Sequence, residues 1–290
     1  MKKVVVVGAN GYIGAHATAE LLRHPDAFAV VAADLSAQNL PAGVDFVSID
    51  INRDAERPDL YEMLREPDIC LYFAWRNGFE HNAMSHIQDF PNHFMFMKNL
   101  ADHGVRHFAV TGSFREYGSV NGMADEHAPV TPGNYYMLSK SMLKSALEIC
   151  FKDRGICLQW LRPFTVYGDD ERNRSIFSRI IQWEKEGKAT FPFTDGSEQY
   201  DYISVSELGR QVAAIIDQTE ISGVIDCCSG RPERLGDRVE AFLVERGFRI
   251  RPEYGAFPRR GYDSPVIYGN AEKIRAIMQK SRFFGGETHE

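Results

Sequence analysis

A glycine-rich turn in residues 2–17 (KKVVVVGANGYIGAHA) constrains the fold more than any other stretch of the chain. Residues 4–7 are four consecutive valines, and such an uncharged β-branched run is typical of a strand buried on both faces of a parallel sheet. Residues 12–22 have the apolar periodicity of a helix. The glycines between these elements are spaced G-x-x-G-x-x-G, at Gly8, Gly11 and Gly14. A helix N-terminus at the end of a buried strand offers N–H groups and a positive dipole end, so this stretch predicts a pyrophosphate site.

The glycine spacing alone does not decide between a nucleotide site and an ordinary tight turn, because any doubly wound sheet needs close βα turns. Residues 30–33 form a second apolar strand that ends at Asp34. An acidic side chain at this place accepts hydrogen bonds from an adenosine ribose and repels a 2′-phosphate. Since the next arginine is Arg53, the sequence predicts NAD(H) as the first choice of cofactor and leaves NADP(H) open.

Composition and charge narrow the class of protein. The 290 residues suffice for one large domain or two unequal ones, and 44% of them are hydrophobic, enough for a sizeable core. The formal net charge of −7 disfavours nucleic acid and anionic membranes as partners. The apolar start is broken at Gly8, unlike a signal peptide, and no later stretch approaches the roughly 20 apolar residues of a membrane span. We therefore expect a cytoplasmic globular protein.

Neither a metal site nor a disulfide framework is expected from the distribution of cysteine and histidine. The five cysteines form no C-x-x-C pair, and the nine histidines show no H-E-x-x-H spacing. The cysteines are therefore interpreted as reduced thiols.

Two further apolar runs end in loops that are predicted to carry ligand contacts. Residues 69–74 lead into a loop that begins at Trp75, and residues 107–110 lead into Thr111 and Ser113. Because the carboxyl ends of parallel strands form the ligand-binding edge of such sheets, both loops are expected beside the cofactor.

A tyrosine and a lysine share one face of the predicted helix over residues 135–148. Tyr136 and Lys140 are four positions apart, which places them about one turn from each other. Alone, such a pair is most simply a surface contact. Together with Ser113 and the nucleotide site, it indicates catalytic chemistry.

The later part of the chain is less informative. Residues 199–205 are interpreted as a strand that returns to the main sheet, and Ser206 as the cap of the following helix. The irregular basic segment over residues 251–269 suits an anionic ligand.

These motifs together resemble the extended short-chain dehydrogenase/reductase family, particularly its nucleotide-sugar branch, over nearly the full length. The matching pieces are GANGYIG, Asp34, Asp68, Ala74, Ser113, Tyr136-x-x-x-Lys140, LRPFTVYG at 161–168 and YDYISV at 200–205. The resemblance implies an α/β fold, a doubly wound parallel sheet of the Rossmann type with a smaller C-terminal substrate domain. Residues 1–165 plus about 200–226 would form the NAD(P)-binding domain, and residues 166–199 plus about 227–290 the nucleotide-sugar-binding domain.

The resemblance also implies a catalytic group of Ser113, Tyr136 and Lys140. Tyr136 would protonate the oxygen of a ketone as hydride arrives, and Ser113 would donate a hydrogen bond to the same oxygen. Lys140 is expected to hold the nicotinamide ribose and, through its charge, to lower the pKa of the Tyr136 phenol by about 1–3 units.

The expected ligand contacts extend along several loops. The cofactor-binding residues are predicted to be Gly8, Asn10, Gly11, Tyr12, Ile13, Gly14, Asp34, Asp50, Ile51, Phe73, Ala74, Trp75, Thr111, Tyr136, Lys140, Pro163, Thr165 and Val166. For Asp50, a contact to adenine and a helix cap are equally good interpretations. The substrate-binding residues are predicted to be Trp75, Ser113, Phe114, Arg115, Thr165, Arg174, Ser175, Tyr200 and Arg260. Arg260, with Arg174 as second candidate, is expected to bind the diphosphate.

Departures from the family pattern select among its reactions. Members that eliminate water carry Asp and then Glu directly after the serine, whereas this chain has Phe114 and Arg115, with Glu116 one residue further. A dehydratase is therefore disfavoured. The likeness is greater to reductases of nucleotide-linked 4-keto-6-deoxyhexoses, carried by dTDP, GDP, UDP or CDP, than to NAD-dependent 4-epimerases. A non-catalytic dinucleotide sensor is a third, weaker alternative. By analogy with relatives we also expect a homodimer that uses the helix around residues 135–150.

Overall fold

Seven parallel strands form the central sheet of the computed structural model, which describes residues 1–168, 173, 175–259 and 264–285. In sheet order the strands are β11 (Gly223–Cys227), β7 (Cys157–Pro163), β5 (His107–Thr111), β4 (Ile69–Tyr72), β1 (Lys2–Val7), β2 (Phe28–Asp34) and β3 (Asp45–Ser48). The order reverses between β1 and β4, which is where doubly wound sheets bind ligands. The predicted fold class is confirmed.

Helices cover both faces of this sheet. The helices of the described residues are α1 (Tyr12–Leu21), α2 (Ile51–Asp54), α3 (Leu60–Met63), α4 (Ser85–Gln88), α5 (Phe90–His103), α6 (Tyr135–Phe151), α7 (Ile176–Lys185), α8 (Val205–Asp217), α9 (Leu235–Arg246) and α10 (Glu272–Lys280), of which α7 and α9 pack in a separate apolar cluster away from this sheet. The valines of β1 show how the two faces are filled. Val4 and Val6 belong to one apolar cluster with α1, α8 and α10, whereas Val5 and Val7 belong to another with α5 and α6. All four are fully buried, as an uninterrupted β-branched run predicts.

A second, smaller sheet lies outside the central one. Its strands are β12 (Pro232–Arg234), β10 (Gln199–Ser204), β14 (Val266–Gly269), β6 (Gly122–Ala124) and β8 (Thr165–Tyr167), the last pairing with β10. A further pair joins β9 (Thr190–Pro192) to β13 (Arg251–Glu253). The prediction that residues 199–205 return to the main sheet is therefore wrong. The edge of the main sheet beside β7 is occupied by β11, so β10 pairs with β8 just after the chain leaves β7.

The start of α8 also differs from the sequence prediction. The hydroxyl of Ser204 accepts the N–H of Glu207 at 3.1 Å, so this serine caps a helix that begins at Val205. The prediction that Ser206 is the cap is wrong by two residues, because both serines satisfy the same local pattern and the helix starts at the end of β10.

A third apolar cluster lies in the segments assigned by sequence to the substrate domain. It is built from aromatic and aliphatic side chains of α7, β9 and α9, including Phe177, Phe191 and Phe242, and it also takes in Tyr202 of β10. This separate core is what a second folding unit requires, and the division into two domains stays a prediction.

Candidate active site

The glycine turn brings three segments of backbone into very close contact. Gly8 has a φ of +81°, and a Cβ on it would lie 2.5 Å from the backbone nitrogen of Ala74. A Cβ on Gly14 would lie 2.1 Å from the carbonyl oxygen of Gly8. Gly11 is the residue before the first turn of α1 and leaves that helix N-terminus uncovered by a side chain. The turn therefore has the shape that a pyrophosphate-binding loop needs.

A cavity of about 320 Å³ opens beside this turn, at the reversal point of the sheet. Predicted cofactor residues that line it are Gly8, Asn10, Gly11, Asp34, Asp50, Ile51, Phe73, Ala74 and Trp75. The carboxylate of Asp34 accepts the backbone N–H groups of Asn10 at 2.8 Å and Leu35 at 2.7 Å, which fixes it at the end of β2. Asp50 lines the cavity and also caps α2 by accepting the N–H of Asn52 at 3.0 Å. The arrangement fits the adenosine half of a dinucleotide.

The cavity also has lining residues that the sequence analysis did not single out. Arg76 and the buried Asp89 form a bidentate pair, with Nη2 of the arginine 2.8 Å from Oδ1 of the aspartate. The buried His93 is the third member of this wall. The loop that begins at Trp75 was expected near the cofactor, but no spacing in the sequence predicts that Asp89, which precedes α5, and His93 of α5 also line the cavity.

Other predicted cofactor residues do not line the cavity, although they lie in elements that adjoin residues of the predicted site. Tyr12 and Ile13 open α1, where Gly14 follows, Thr111 ends β5 and Pro163 ends β7. Thr165 and Val166 lie in β8, opposite Tyr202 and Ile203 of β10. Their contacts to a cofactor stay predictions.

Ser113 and Tyr136 lie close to each other in the structure. Ser113 follows β5, is buried, and begins the 3₁₀ turn Phe114–Tyr117. Tyr136 lies in the first turn of α6, and its N–H donates to the carbonyl of His81 at 2.9 Å. The Ser113 side chain lies close enough to the Tyr136 phenol to lower its pKa. A hydroxyl and a phenol thus converge at the carboxyl edge of the sheet.

Lys140 lies beside the same tyrosine but does not point directly at its phenol. Its Nζ donates to the carbonyl oxygen of Thr111 and lies 4.0 Å from the ring centroid of Trp75 and 5.9 Å from that of Tyr136. The side chain is 3% exposed. Burial lowers the pKa of Lys140 to about 7, and the nearby Glu116 opposes this shift.

The expectation that Lys140 lowers the pKa of Tyr136 is wrong for this structure. Burial raises the pKa of Tyr136 to about 12, because a phenolate is poorly solvated there. The hydrogen bond from Ser113 opposes the increase, Glu116 adds to it, and Arg115 opposes it. The sequence places a lysine one turn away but gives no measure of burial, and burial dominates.

Trp75 is the centre of an aromatic and imidazole cluster next to the predicted catalytic group. Its ring is stacked on His93 at 4.4 Å between centroids, and its Nε1 donates to Nδ1 of His86 at 3.0 Å. The other nitrogen of His86 therefore carries the proton that it donates to the Glu80 carbonyl at 3.1 Å. Burial lowers the pKa of His86 and that of His93, the latter to about 3, so both rings are neutral at pH 7.

The predicted substrate residues are only partly brought together. Phe114 is stacked on Phe164 at 5.2 Å, and the Arg115 guanidinium lies 5.2 Å from the Phe114 ring. Ser175 caps α7 by accepting the N–H of Ser178 at 3.3 Å. Tyr200 lies in β10, opposite Ile267 of β14.

Arg174 and Arg260, the two predicted diphosphate ligands, lie outside the described residues. Arg259, which precedes Arg260 in the sequence, pairs with Asp195, since its Nη2 lies 2.6 Å from Oδ1 of that residue.

Two negative findings apply to the part of the chain that the structure describes. None of its helices is long and apolar enough to cross a membrane. In the same ranges, no group of three or more His, Cys, Asp or Glu side chains is arranged to hold a metal ion.

Comparison with known proteins identifies the family. Residues 4–227 match the NAD dependent epimerase/dehydratase family. The chain belongs to this family. It is accordingly an NAD-dependent oxidoreductase of the extended short-chain dehydrogenase/reductase type, and the glycine turn, the cavity and Asp34 fit that cofactor.

Several family members are similar over most of their length. The dTDP-6-deoxy-L-talose 4-dehydrogenase (NAD(+)) of Aggregatibacter actinomycetemcomitans is 32% identical over 268 residues, which cover 92% of this chain and 98% of that protein. An uncharacterized UDP-glucose epimerase of Bacillus subtilis is 25% identical over 84% of this chain and 78% of its own length. Among solved structures, a UDP-glucose 4-epimerase has a TM-score of 0.83 at 18% identity, covering 97% of this chain and 93% of that one. At this identity the structural likeness shows the shared fold.

Proposed function

We propose that the protein interconverts a nucleoside-diphosphate-4-keto-6-deoxyhexose and the corresponding 6-deoxyhexose with NAD(H), acting as a 4-keto reductase. The observation that carries the proposal is the convergence of Ser113, Tyr136 and Lys140 beside the cavity that fits NAD. The 32% identical relative supports the position of the reaction, because its name describes oxidation at C4 of a dTDP-linked 6-deoxyhexose. Oxidation and reduction at C4 are one reaction in opposite directions, and dTDP is accordingly favoured over GDP, UDP and CDP.

The bound cofactor supplies the hydride and accepts it in the reverse direction. Tyr136 donates a proton to the C4 oxygen as negative charge develops there, and Ser113 donates a hydrogen bond to the same atom. The raised pKa of Tyr136, about 12, keeps the phenol protonated at neutral pH, which suits the reductive direction. Lys140, whose Nζ donates to the Thr111 carbonyl, would hold the nicotinamide ribose.

A dehydratase remains disfavoured in this proposal. The two positions after Ser113 carry Phe114, which is stacked on Phe164, and Arg115, so neither offers a carboxyl group. Glu116 is the first acidic residue that follows them, and it is fully buried with its oxygens engaged by Trp160 and Arg162. A carboxylate in this setting is not available to move protons on a sugar.

A 4-epimerase is the second candidate, because relatives that cover most of this chain are named as epimerases of UDP-sugars. An epimerase uses the same group to oxidise C4 and then to reduce it from the other face. The two candidates differ in the net use of cofactor, because a reductase consumes NADH and an epimerase regenerates the NAD that it reduces.

The deciding assay supplies the purified protein with dTDP-, GDP-, UDP- and CDP-linked 4-keto-6-deoxyhexoses and follows the absorbance of added NADH. A reductase consumes NADH in proportion to the 4-keto sugar. A 4-epimerase is tested in parallel with the corresponding nucleotide-linked 4-hydroxy sugars, which it interconverts at C4 without net consumption of NADH. An absence of turnover with every sugar, although NAD binds, would favour the dinucleotide sensor and contradict the proposal.

Tyr136→Phe tests the mechanism directly. We expect kcat to fall at least about a hundredfold while the affinity for NADH is kept, because the proton donor is lost and the ring remains. Tyr135→Phe is the matched control, since the hydroxyl of that neighbouring, exposed residue has no role in the proposal. Unchanged turnover in Tyr136→Phe would remove this phenol from the mechanism.

A further inference from the structure

A fully buried glutamate lies directly behind the turn that carries Ser113. Glu116 is 0% exposed, and its Oε1 accepts the backbone N–H of Ser113 at 2.7 Å. Two side chains of β7 satisfy the rest of the carboxylate. Nε1 of Trp160 donates to both oxygens at 3.1 Å, and Arg162 donates to Oε2 from Nη2 at 3.0 Å and from Nε at 3.3 Å. A buried carboxylate with this set of donors is held in one position.

The local backbone is built to let this carboxylate approach. Ser113 and Glu116 form a reciprocal cap, in which the serine hydroxyl also accepts the N–H of Arg115 at 3.2 Å. A Cβ on Gly112 would lie 2.4 Å from Oε1 of Glu116 and 2.2 Å from Nε1 of Trp160. Only glycine fits at this position, because any side chain next to Ser113 would occupy the space of the Glu116 carboxylate.

The charge of Glu116 also reaches the other two residues of the proposed catalytic group. Burial has the largest effect on the pKa of both residues, raising that of Tyr136 and lowering that of Lys140. The charge of Glu116 has a smaller effect, and it raises both pKa values. The negative charge therefore favours the phenol and the ammonium, the two protonated forms that reduction uses.

We propose that Glu116 is a positioning residue, which fixes Ser113 against Tyr136 through the Ser113 N–H and places a negative charge behind the Tyr136–Lys140 pair. This inference rests on the proposed function. It assigns Glu116 no contact with substrate or cofactor, and it explains why an acidic residue occurs one position beyond the place where an acid would face the sugar.

The principal test is the charge-neutral double variant Glu116→Gln/Arg162→Gln, which leaves no unpaired charge in the core. We expect kcat to fall about ten- to a hundredfold with KM changed less than about threefold, because positioning and charge are lost while the ligand contacts stay. We also expect the limb of the pH profile that reports loss of the protonated forms to move to lower pH. The single variant Glu116→Gln should show the same direction more strongly, since Arg162 keeps its positive charge.

The matched control is Asp226→Asn, which changes the same buried network, because Asp226 contacts Tyr117, whose ring lies 4.2 Å from the Arg162 guanidinium. Asp226 accepts the Tyr117 hydroxyl at 2.9 Å, and an asparagine oxygen can accept the same bond. This variant should keep the wild-type kcat and pH profile. An equal loss in Asp226→Asn and in the double variant would overturn the proposal, because general loosening of the core would then explain both.

A second readout needs no sugar and separates this inference from the proposed function. The titration of Lys140 is followed by NMR on protein with isotope-labelled lysine, with the signal assigned by Lys140→Arg. We expect the Lys140 midpoint to fall in the double variant relative to wild type. An unchanged midpoint together with wild-type kcat overturns the role of Glu116, whereas wild-type protein without turnover overturns the proposed function alone.

Discussion

Lys140 is almost completely buried, and its protonation should therefore make the stability of the protein depend on pH. Its pKa in the folded protein is lowered to about 7 from a usual value of 10.5. Between these two values the unfolded chain binds more protons than the folded one, so the free energy of unfolding should rise with pH from about 7 to about 10. Below this window the folded state carries the full cost of the buried charge.

Lys140→Met should therefore be more stable than wild type below pH 7, and its advantage should shrink as the pH rises through the window. Urea unfolding at a series of pH values measures this difference. Lys144→Met is the control, because Lys144 is one turn further along α6 in an ion pair with Glu148 at 2.6 Å. An advantage of Lys140→Met that stays constant with pH would contradict the account of the buried ammonium.

Trp75 offers an optical test of the cofactor site. It lines the cavity beside the glycine turn, whereas Trp160 is buried against Glu116 and Trp183 is stacked on Phe191. We expect NAD to quench tryptophan fluorescence in wild type and in Trp183→Phe, and most of this quench to be absent in Trp75→Phe. A full quench in Trp75→Phe with unchanged NAD affinity would place the cofactor elsewhere.

At the scale of single residues, the sequence indicated which residues lie around the cavity better than it indicated their burial and their pKa values. Gly8, Gly11 and Asp34, which the sequence predicted to bind the cofactor, all line the cavity, and their contacts to a cofactor stay a prediction. The pKa of Tyr136 was predicted in the wrong direction, because its value depends on how much water reaches the phenol. Glu116 carries no local signal, since its partners Trp160 and Arg162 are remote in sequence.

Tyr136 lies in the first turn of α6, so the residue that caps this helix should affect the position of the Tyr136 phenol. The side chain of Asn134 accepts the N–H of Met137 at 3.0 Å, so the helix begins one residue before Tyr136. Asn134→Ala should lower the free energy of unfolding by about 1 kcal/mol and lower kcat as the turn frays. Asn134→Asp should restore both quantities, because a carboxylate accepts the same bond.

Ser204→Ala distinguishes a loss of stability from a loss of position. Ser204 caps α8 with the equivalent contact, to Glu207 at 3.1 Å, and lies on a helix that carries none of the proposed catalytic residues. Ser204→Ala should lower the free energy of unfolding by about as much as Asn134→Ala does, and it should leave kcat unchanged. If Asn134→Ala behaves in the same way, the cap does not position Tyr136.

Elements were predicted from the sequence more reliably than their pairing. The apolar runs of β1, β2, β4 and β5 all form central strands, as their lack of polar alternation indicates. The run in β10 (QYDYIS) is also a strand, but it alternates polar and aromatic residues, and it pairs with β8 and β14 in the second sheet. Periodicity records which faces of a strand are buried and does not say which strand lies beside it, so the sequence predicted the strand but not its partners.

At the scale of the whole molecule, α6 presents an apolar surface that the other described residues leave exposed. Leu138, Met142 and Ile149 are 37%, 41% and 78% exposed, and their spacing places them on one face of the helix. Leu143 and Leu147 of the same helix are buried in the core. The exposed face fits the predicted homodimer, in which a second copy of α6 would cover it.

Met142→Glu/Ile149→Glu tests the dimer. Two carboxylates on each copy would have to be buried without partners opposite their own like charges, so the variant should sediment as a monomer at concentrations where wild type is a dimer. Val244→Glu is the matched control, because Val244 is an equally apolar residue, 82% exposed on α9, and should leave the wild-type state unchanged. A monomeric wild type would contradict the predicted homodimer, and a dimer that persists in the double variant would assign the contact to another face. Since Tyr136 and Lys140 are on the same helix, kcat of the monomeric variant then shows whether pairing of α6 supports the catalytic group.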